Sequence, residues 1–313
     1  MSHSVLIIDG TALAYRAFYA LRDLSTRDGR PVNALFGFIR MIRQLTKHWR
    51  PERVIVTFDG GSPAHRLEKC PEYKAQRAPM PDDLRRQLPW MNEYLAAVGI
   101  PMVLLKGQEA DDVMATLATR AADAGADVRL VTSDKDLMQL VSERIRIVPP
   151  SKTQDELDVD GVVAKTGVKP EQIVDWLALI GDTSDNIPGI MGVGPKSAAK
   201  LLQQFGSLEE CLARSDEIEP AGLREKIQAG RATAELNVEL MELDRAVPGV
   251  PEWEEIPAPM PDLDKMKSFF ETYELRQFAA ELVEEQQASS VSRSPRPPKP
   301  APKPADDGQM SLF

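Results

Sequence analysis

The sequence predicts an α/β fold, with a mainly parallel sheet flanked by helices. Three short apolar runs rich in β-branched residues predict strands at residues 4–8, 53–58 and 128–132. Patterns with helical spacing lie between them, as in residues 34–49 and 113–124. Strands that alternate with helices favour parallel pairing, with helices on both faces of the sheet.

An aspartate stands at or near the carboxyl end of each predicted strand. Asp9 and Asp59 directly follow the first two strands, and Asp134 comes shortly after the third. Binding sites in open parallel sheets lie beyond the carboxyl ends of the strands. We therefore expect these three side chains to converge at one edge of the sheet.

Further acids occur in tight clusters along the chain. Glu109, Asp111 and Asp112 open a predicted helix, where free N–H groups offset negative charge. Helix capping accounts for one or two such acids, but not for three within four residues. The remaining clustered acids follow the third strand or precede a glycine-rich turn: Asp134, Asp136, Asp182 and Asp185.

So many carboxylates at one sheet edge would repel one another unless cations neutralised them. Oxygen ligands without histidine or cysteine indicate Mg²⁺ or Mn²⁺ rather than zinc. The three histidines lie outside the acid clusters, and Cys70 and Cys211 have no metal-ligand spacing. Two such cations roughly 4 Å apart can activate water and stabilise both oxygens of a phosphoryl displacement. The pattern therefore predicts a metal-dependent phosphodiesterase site.

Composition sets looser bounds. The chain has 313 residues and a formal net charge of −10. This charge argues against nonspecific coating of nucleic acid, but local basic patches can still bind phosphates. We expect a soluble cytoplasmic protein, because no apolar run approaches the roughly 20 residues of a membrane span and no signal peptide is evident.

Changes in composition divide the chain into four parts. We expect a catalytic α/β domain at residues 1–175, with an exposed, mobile basic arch near residues 65–90. A mostly helical domain follows at residues 176–288. Residues 289–308, rich in Pro, Lys and Arg, predict a disordered linker, and an apolar pentapeptide ends the sequence at residues 309–313.

These motifs, in this order, resemble the 5′-nuclease (flap endonuclease) family. The likeness is greatest to the N-terminal 5′–3′ exonuclease domain of bacterial DNA polymerase I, and it runs from about residue 4 to 285. The resemblance implies a PIN-like or resolvase-like sheet and a helical subdomain with a helix–hairpin–helix near residues 186–205. No polymerase region follows in this sequence, which therefore resembles a stand-alone member.

The resemblance also implies roles for individual residues. One metal cluster would comprise Asp9, Asp59, Glu109, Asp111 and Asp112. A second would comprise Asp134, Asp136, Asp182 and Asp185. Lys74 and Arg77 match a basic motif of the family near the scissile phosphate, where they would stabilise developing charge.

DNA contacts are expected in two places. Arg16 and Arg66 could contact phosphates, although for Arg66 a solvated basic surface is an equal alternative. The turn at Gly192, Val193 and Gly194 resembles the family's hairpin, where K⁺ bridges backbone and phosphate. Lys196 and Ser197, at the helix start that follows, would also contact DNA. Of the nearby aromatic residues that could stack on a base, Tyr15 fits the core better, and Tyr73 and Phe36 stay open.

The final pentapeptide, Gln309-Met310-Ser311-Leu312-Phe313, resembles the bacterial sliding-clamp-binding peptide, which usually has Leu at its second position. The alternative is an arbitrary frayed tail. We expect a flexible linker to present Leu312 and Phe313 as apolar anchors and to raise the local concentration of the protein at the clamp.

The sequence therefore predicts a monomeric, Mg²⁺-dependent enzyme that cleaves DNA at 5′ ends or at the base of 5′ flaps in primer removal and repair, including RNA primers on DNA. Two alternatives are a PIN-like ribonuclease and a non-catalytic module that binds branched DNA and the clamp. The hairpin argues against the first and the retained acids against the second.

Overall fold

The computed structural model describes residues 3–21 and 24–292, with side chains described as far as residue 287. A five-stranded sheet with the order β3-β2-β1-β4-β5 forms its centre, and every strand pair in it is parallel. A separate two-stranded antiparallel hairpin is formed by β6 and β7. The α/β class with a mainly parallel sheet is confirmed.

The strands of these two sheets are β1 (Ser4–Asp9), β2 (Arg53–Phe58), β3 (Met102–Leu104), β4 (Asp127–Val131), β5 (Ile145–Val148), β6 (Gly181–Asp182) and β7 (Ile187–Pro188). The helices are α1 (Gly10–Ala20), α2 (Asn33–Trp49), α3 (Ala64–Lys69), α4 (Asp82–Ala97), α5 (Ala110–Asp123), α6 (Val159–Thr166), α7 (Ile173–Ile180), α8 (Pro195–Phe205), α9 (Leu208–Ala213), α10 (Ala221–Ala229), α11 (Arg231–Met241), α12 (Leu263–Thr272) and α13 (Arg276–Ser292). Short 3-10 turns occur at Asp136–Leu140, Pro170–Gln172, Ser215–Glu217 and Trp253–Glu255.

Both faces of the sheet are buried, as its apolar strands predict. In β1, Val5 and Ile7 pack into one core, and Leu6 and Ile8 pack into the other. The first core contains α5 and most of the helices between α6 and α11, and the second contains α2, α4, α12 and α13. The predicted helical domain therefore shares a core with the sheet, and its boundary near residue 175 stays a prediction.

Sequence patterns missed two strands at the edges of the sheet. β3 has only three residues, too few for a periodic signal. In β5, Arg146 interrupts the apolar run, and its side chain lies near Glu156 rather than in the core. Edge strands carry polar residues more easily because only part of their surface is buried.

The segment predicted as an exposed, mobile arch differs from that expectation. It contains α3, a series of turns and α4, and it buries both Arg66 and Tyr73. Gln87 of α4 is also buried and accepts a hydrogen bond from the Leu35 N–H of α2. Polar partners in the interior explain the difference, because they allow basic and aromatic residues to pack inward.

The C-terminal helix extends further than predicted. α13 ends at Ser292 and so covers the first four residues of the predicted linker, a stretch without proline. The rest of the linker and residues 309–313 lie outside the described residues. Within residues 3–21 and 24–292, no helix combines the length and the apolar character needed to cross a membrane.

Candidate metal and nucleic-acid site

The parallel pairing brings the strand-end acids to one edge. Asp9 ends β1 beside Thr57 of β2, and Ile8 pairs with Val131 of β4. Gly10 allows α1 to begin tightly against β2, since an added Cβ would lie 2.7 Å from the side chain of Phe58. Asp9 Oδ1 caps α1 by accepting from the Ala12 N–H at 2.8 Å. Asp59 Oδ1 accepts from the Ala110 N–H at 2.8 Å and so holds the start of α5 at the same edge.

The first group of acids consists of Asp9, Asp59, Asp111 and Asp134, whose charges act on one another. Burial, reinforced by Asp59 and Asp134, raises the pKa of Asp9 to about 7. Burial and the charges of Asp134 and Asp9 raise the pKa of Asp111 well above its ordinary value. Asp9 and Asp111 therefore resist ionisation unless a cation compensates their charge.

The second group consists of Asp136, Asp182 and Asp185, which present oxygens within 4.8 Å of one another. Burial and the neighbouring Asp134 raise the pKa of Asp136. Asp182 differs, because hydrogen bonds from Lys135 and Ser184 outweigh its burial and lower its pKa. Asp134 joins the two groups, since burial and then the charges of Asp185 and Asp182 raise its own pKa.

The donor set of these two groups fits divalent cations that prefer oxygen. Asp111 Oδ1 and Asp136 Oδ1 are buried without a hydrogen-bond partner, one in each group. Unpaired buried carboxylate oxygens are costly, and a metal ion would satisfy them. Every ligand offered here is a carboxylate, the donor type typical of Mg²⁺ and Mn²⁺.

Glu109 lies beside these groups but faces cations of the protein. It is buried, and its Oε2 accepts from Arg66 Nη1 at 2.9 Å. Its Oε1 accepts from Lys74 Nζ at 2.7 Å. The structure thus places Glu109 between the acids and the basic segment that follows α3.

Asp112 and Arg66 form a buried pair. Asp112 is fully buried, and its two oxygens accept from Arg66 at 2.6 and 2.8 Å. Arg66 is 2% exposed, so its guanidinium cannot contact a phosphate in this conformation. The expected exposure of Arg66 is wrong, because Arg66 is the buried partner of Asp112, whereas metal binding by Asp112 stays a prediction. The physical reason is that each saturates the other's charge in the interior.

Lys74 and Arg77 face the acids from the turns between α3 and α4. The Lys74 N–H donates to the Asp185 carbonyl at 2.9 Å, which fastens this segment to the loop between β6 and β7. Arg77 Nη2 lies 2.5 Å from Asp185 Oδ1, and its side chain is 49% exposed. Burial opposes the charge of Lys74, but Glu109 and Asp185 more than compensate and raise its pKa. Both side chains are therefore cations at the site.

A cavity of about 470 Å³ opens between the acids and the two cations. Asp9, Asp59, Asp111 and Asp134 line it together with Lys74 and Arg77. The lining also includes apolar and aromatic residues, among them Tyr15, Phe58, Met80, Leu88 and Leu104. A cavity lined by both charged and apolar side chains suits an anionic ligand with an aromatic or apolar part.

The hairpin turn at Gly192, Val193 and Gly194 comes soon after the second acid group in the sequence. Asp182 pairs with Ile187 across the β6–β7 hairpin, and the chain then turns through Gly192, which has φ of 77°. Gly194 is the N-cap of α8, and Lys196 in the first turn of that helix is exposed. Free N–H groups of a helix start can bind a phosphate.

Two models of protein families cover most of the chain. The 5′-3′ exonuclease N-terminal resolvase-like domain matches residues 4–167, and the 5′-3′ exonuclease C-terminal SAM fold matches residues 168–264. The chain belongs to the 5′–3′ exonuclease family. It is 38% identical to the 5′-3′ exonuclease of Aquifex aeolicus over 89% of this chain and 95% of that protein. The resemblance inferred from the motifs is confirmed, and so is the assignment as a nuclease.

A longer relative and two solved structures are also similar to this chain. The thermostable DNA polymerase I of Thermus thermophilus is 38% identical over 99% of this chain, which spans 36% of that protein's length. The bacteriophage T5 5′-exonuclease with bound divalent metal ions (zinc) shares the fold, with a TM-score of 0.65, 22% identity and coverage of 90% and 99% of the two chains. The catalytic core of Rad2 in complex with DNA substrate aligns with a TM-score of 0.61, 18% identity and coverage of 87% and 88%.

The sequence did not predict the contacts of two residues in this 5′–3′ exonuclease site, Lys135 and Tyr73. Lys135 Nζ lies 2.6 Å from Asp182 Oδ2, and its position between Asp134 and Asp136 was the available signal. Tyr73, considered above only for base stacking, is buried with its hydroxyl 2.9 Å from Glu109 Oε2 and 3.2 Å from Asp185 Oδ2. Its role in the structure is to join the two acids.

The remaining predicted DNA contacts differ in exposure. Arg16 is exposed on α1, next to Tyr15 at the cavity. In the hairpin turn, Val193 is buried and Ser197 is half-buried. The Lys226 side chain of α10 lies over Gly192, because a Cβ added there would be 2.6 Å from its Nζ. These positions leave Arg16 and Lys196 accessible to a ligand.

Proposed function

We propose that this 5′–3′ exonuclease family member hydrolyses DNA phosphodiesters at 5′ ends and at the base of 5′ flaps, and that Mg²⁺ is its cofactor. The observation that carries the proposal is the cavity in which four carboxylates face Lys74 and Arg77. Carboxylates alone would repel a phosphate, and cations alone would bind it without supplying a nucleophile. Their juxtaposition suits the cleavage of a phosphodiester.

Asp9, Asp59, Asp111 and Asp134 would hold one cation, and Asp136, Asp182 and Asp185 a second, with Glu109 beside them. Mg²⁺ bound there supplies water activation and charge neutralisation at the phosphate. Lys74 and Arg77 stabilise negative charge that develops on the phosphate oxygens. The apolar and aromatic residues of the lining, which include Leu88 and Leu104, would contact the terminal nucleotide.

Specificity for DNA structure rather than sequence follows from backbone contacts. The hairpin turn at Gly192–Gly194, together with Lys196 and Ser197, would bind a phosphate of the duplex, and the turn would hold K⁺, which supplies positive charge to that phosphate. Arg16 lies near the cavity and is suited to a second phosphate contact. Contacts of this kind position a duplex without reading its bases.

The pentapeptide at residues 309–313 delivers the monomeric enzyme to a bacterial sliding clamp. Support comes from its likeness to clamp-binding peptides and from the Pro/Lys-rich sequence that precedes it. Attachment to the clamp would place the nuclease at newly displaced 5′ ends in the cytoplasm, including RNA primers on DNA. Primer removal and repair are the processes that generate such ends.

The test is a panel of 5′-labelled substrates incubated with Mg²⁺ or with EDTA: a 5′ flap, a nicked duplex, single-stranded DNA and a matched RNA strand. We expect Mg²⁺-dependent release of short 5′ products from the flap and the nick, faster than from either single strand. Preferential cleavage of RNA would favour a ribonuclease, and binding to the flap without cleavage would favour a non-catalytic module. Either result would refute the proposal.

A further inference from the structure

A buried ion pair between Arg66 and Asp112 connects three elements around the site. Arg66 lies in α3, Asp112 lies in α5, and the Arg66 guanidinium also donates to the Leu240 and Glu242 carbonyls at the end of α11, each at 3.1 Å. The Asp244 N–H donates to Asp112 Oδ1 at 2.9 Å. Both ionised groups are therefore surrounded by hydrogen-bond partners, which a buried charge requires.

Glu109 connects this ion pair to Lys74 in the proposed cleavage site. Arg66 Nη1 is shared between Asp112 Oδ2 at 2.6 Å and Glu109 Oε2 at 2.9 Å. Arg66 and the Tyr73 hydroxyl both donate hydrogen bonds to Glu109 Oε2. The other oxygen of Glu109, Oε1, accepts from Lys74 Nζ. The contacts form a chain in the order Asp112, Arg66, Glu109, Lys74.

We propose that Arg66 and Asp112 are positioning residues that orient Glu109 and, through it, the Lys74 ammonium at the scissile phosphate. Asp112 thus acts through Arg66 rather than as a ligand of a cation. This inference rests on the proposed function for the role of Lys74 in cleavage. The geometry of the contacts from Asp112 to Lys74 does not depend on that function. Arginine is required because only its fork can bond Asp112 twice and still reach Glu109 and the two carbonyls.

Two variants separate positioning from folding. Arg66→Lys keeps the positive charge and loses the fork, and Asp112→Asn keeps the shape and loses the negative charge. Arg214→Lys is the matched control, since Arg214 pairs with Glu217 on the exposed surface. Thermal unfolding first establishes that each variant is folded at the assay temperature.

The first readout does not depend on cleavage. Lys74 is labelled with acetic anhydride in the absence of DNA, and the modified peptides are quantified by mass spectrometry. Loss of a fixed partner for its ammonium should raise Lys74 labelling at least about fivefold in both variants, the effect of one charge-assisted hydrogen bond. Lys135 pairs with Asp182 and is not one of the residues linked from Asp112 to Lys74, so its labelling serves as the internal reference. Unchanged Lys74 labelling in both folded variants would overturn the proposal.

The second readout is a double-mutant cycle on the single-turnover rate of flap cleavage. Arg66→Lys should slow wild-type cleavage about tenfold, a typical cost of misplacing a reacting group. In a Lys74→Ala background, Arg66→Lys should lower the cleavage rate by less than about threefold, because the residue that Arg66 positions is gone. Equal costs in both backgrounds would show a merely structural role. If the wild-type protein does not cleave at all, the proposed function fails, while the labelling result still decides the positioning role.

Discussion

Lys74 Nζ lies 2.7 Å from Glu109 Oε1 and holds a position between two acids, since Asp185 Oδ2 is 3.5 Å from the same ammonium. The chain adopts a left-handed backbone conformation at Lys74, with φ of 56°. Such a conformation is uncommon for a lysine and is retained where surrounding contacts impose it. The cation is thus fixed where the acids of the cavity meet.

Replacing Lys74 should therefore affect the reaction more than binding. Lys74→Ala should lower the single-turnover cleavage rate by about 100-fold or more, as does the loss of other groups that stabilise transition-state charge. DNA affinity in Ca²⁺ should change by less than about threefold, because many other phosphate contacts remain. Lys69→Ala is the control, since Lys69 pairs with Glu239 on the surface nearby. A rate equal to that of Lys69→Ala would show that Lys74 has no catalytic role.

The acid cluster should make the metal-free protein less stable as pH rises. Burial raises the pKa of Asp9 from its ordinary value of 3.8 to about 7 in the folded protein. Stability from a raised pKa is fully present below the unfolded value and is lost as pH rises through the folded value. Between pH 5.5 and pH 8, Asp9 alone would cost about 2 kcal/mol in the free energy of unfolding. The raised pKa values of Asp111, Asp134 and Asp136 act in the same direction.

Thermal unfolding in EDTA measures this effect. We expect the melting temperature to be several degrees lower at pH 8 than at pH 5.5, and Mg²⁺ to reverse the difference. Asp9→Asn can still cap α1 through its amide oxygen, and it should raise the stability of the metal-free protein at pH 8. A variant less stable than the wild type at pH 8 in EDTA would contradict the assigned cost of the Asp9 charge.

The convergence of the acids was predictable because it depends on local patterns. Apolar runs followed by Asp9 and Asp59 are visible in the sequence, and parallel pairing places them at one edge. The choice between Asp111 and Asp112 was not predictable. Adjacent residues on a helix point about 100° apart, and Arg66, 46 positions earlier in the chain, determines which one is paired with a cation of the protein.

Arg66 itself shows why basic residues are hard to interpret from sequence. A segment of alternating basic and aromatic residues resembles a solvated surface, and most arginines are exposed. Its burial depends on Asp112 and on the carbonyls of Leu240 and Glu242, which only the fold brings near. Long-range partners of this kind carry no periodic signal.

The hairpin turn should contribute to DNA affinity through charge. Lys196→Ala should weaken flap binding at low salt and reduce the slope of log affinity against log salt by about one phosphate contact. The cleavage rate at saturating DNA should stay near the wild-type value. Lys152→Ala is the control, because Lys152 is exposed beside Asp155. An unchanged salt slope would remove Lys196 from the DNA interface.

The final pentapeptide should be separable from cleavage. Deleting residues 309–313 should abolish retention of the protein by an immobilised bacterial sliding clamp. Cleavage of a flap in clamp-free buffer should remain unchanged, because none of the residues assigned to cleavage belongs to this pentapeptide. A control that replaces Ser311 with Ala keeps the apolar anchors Leu312 and Phe313 and should be retained. Equal clamp retention after the deletion would refute the delivery role.

The central claim is that the converging carboxylates bind the divalent cations that permit cleavage, and Asp134, which joins the two acid groups, tests it most directly. Asp134→Asn removes one charge with little change of shape, so the fold should persist. Calorimetric titration with Mg²⁺, paired with flap cleavage by the same protein, should show binding weakened at least about tenfold and cleavage lowered at least about 100-fold. Wild-type Mg²⁺ affinity and wild-type cleavage in a folded Asp134→Asn protein would contradict the account.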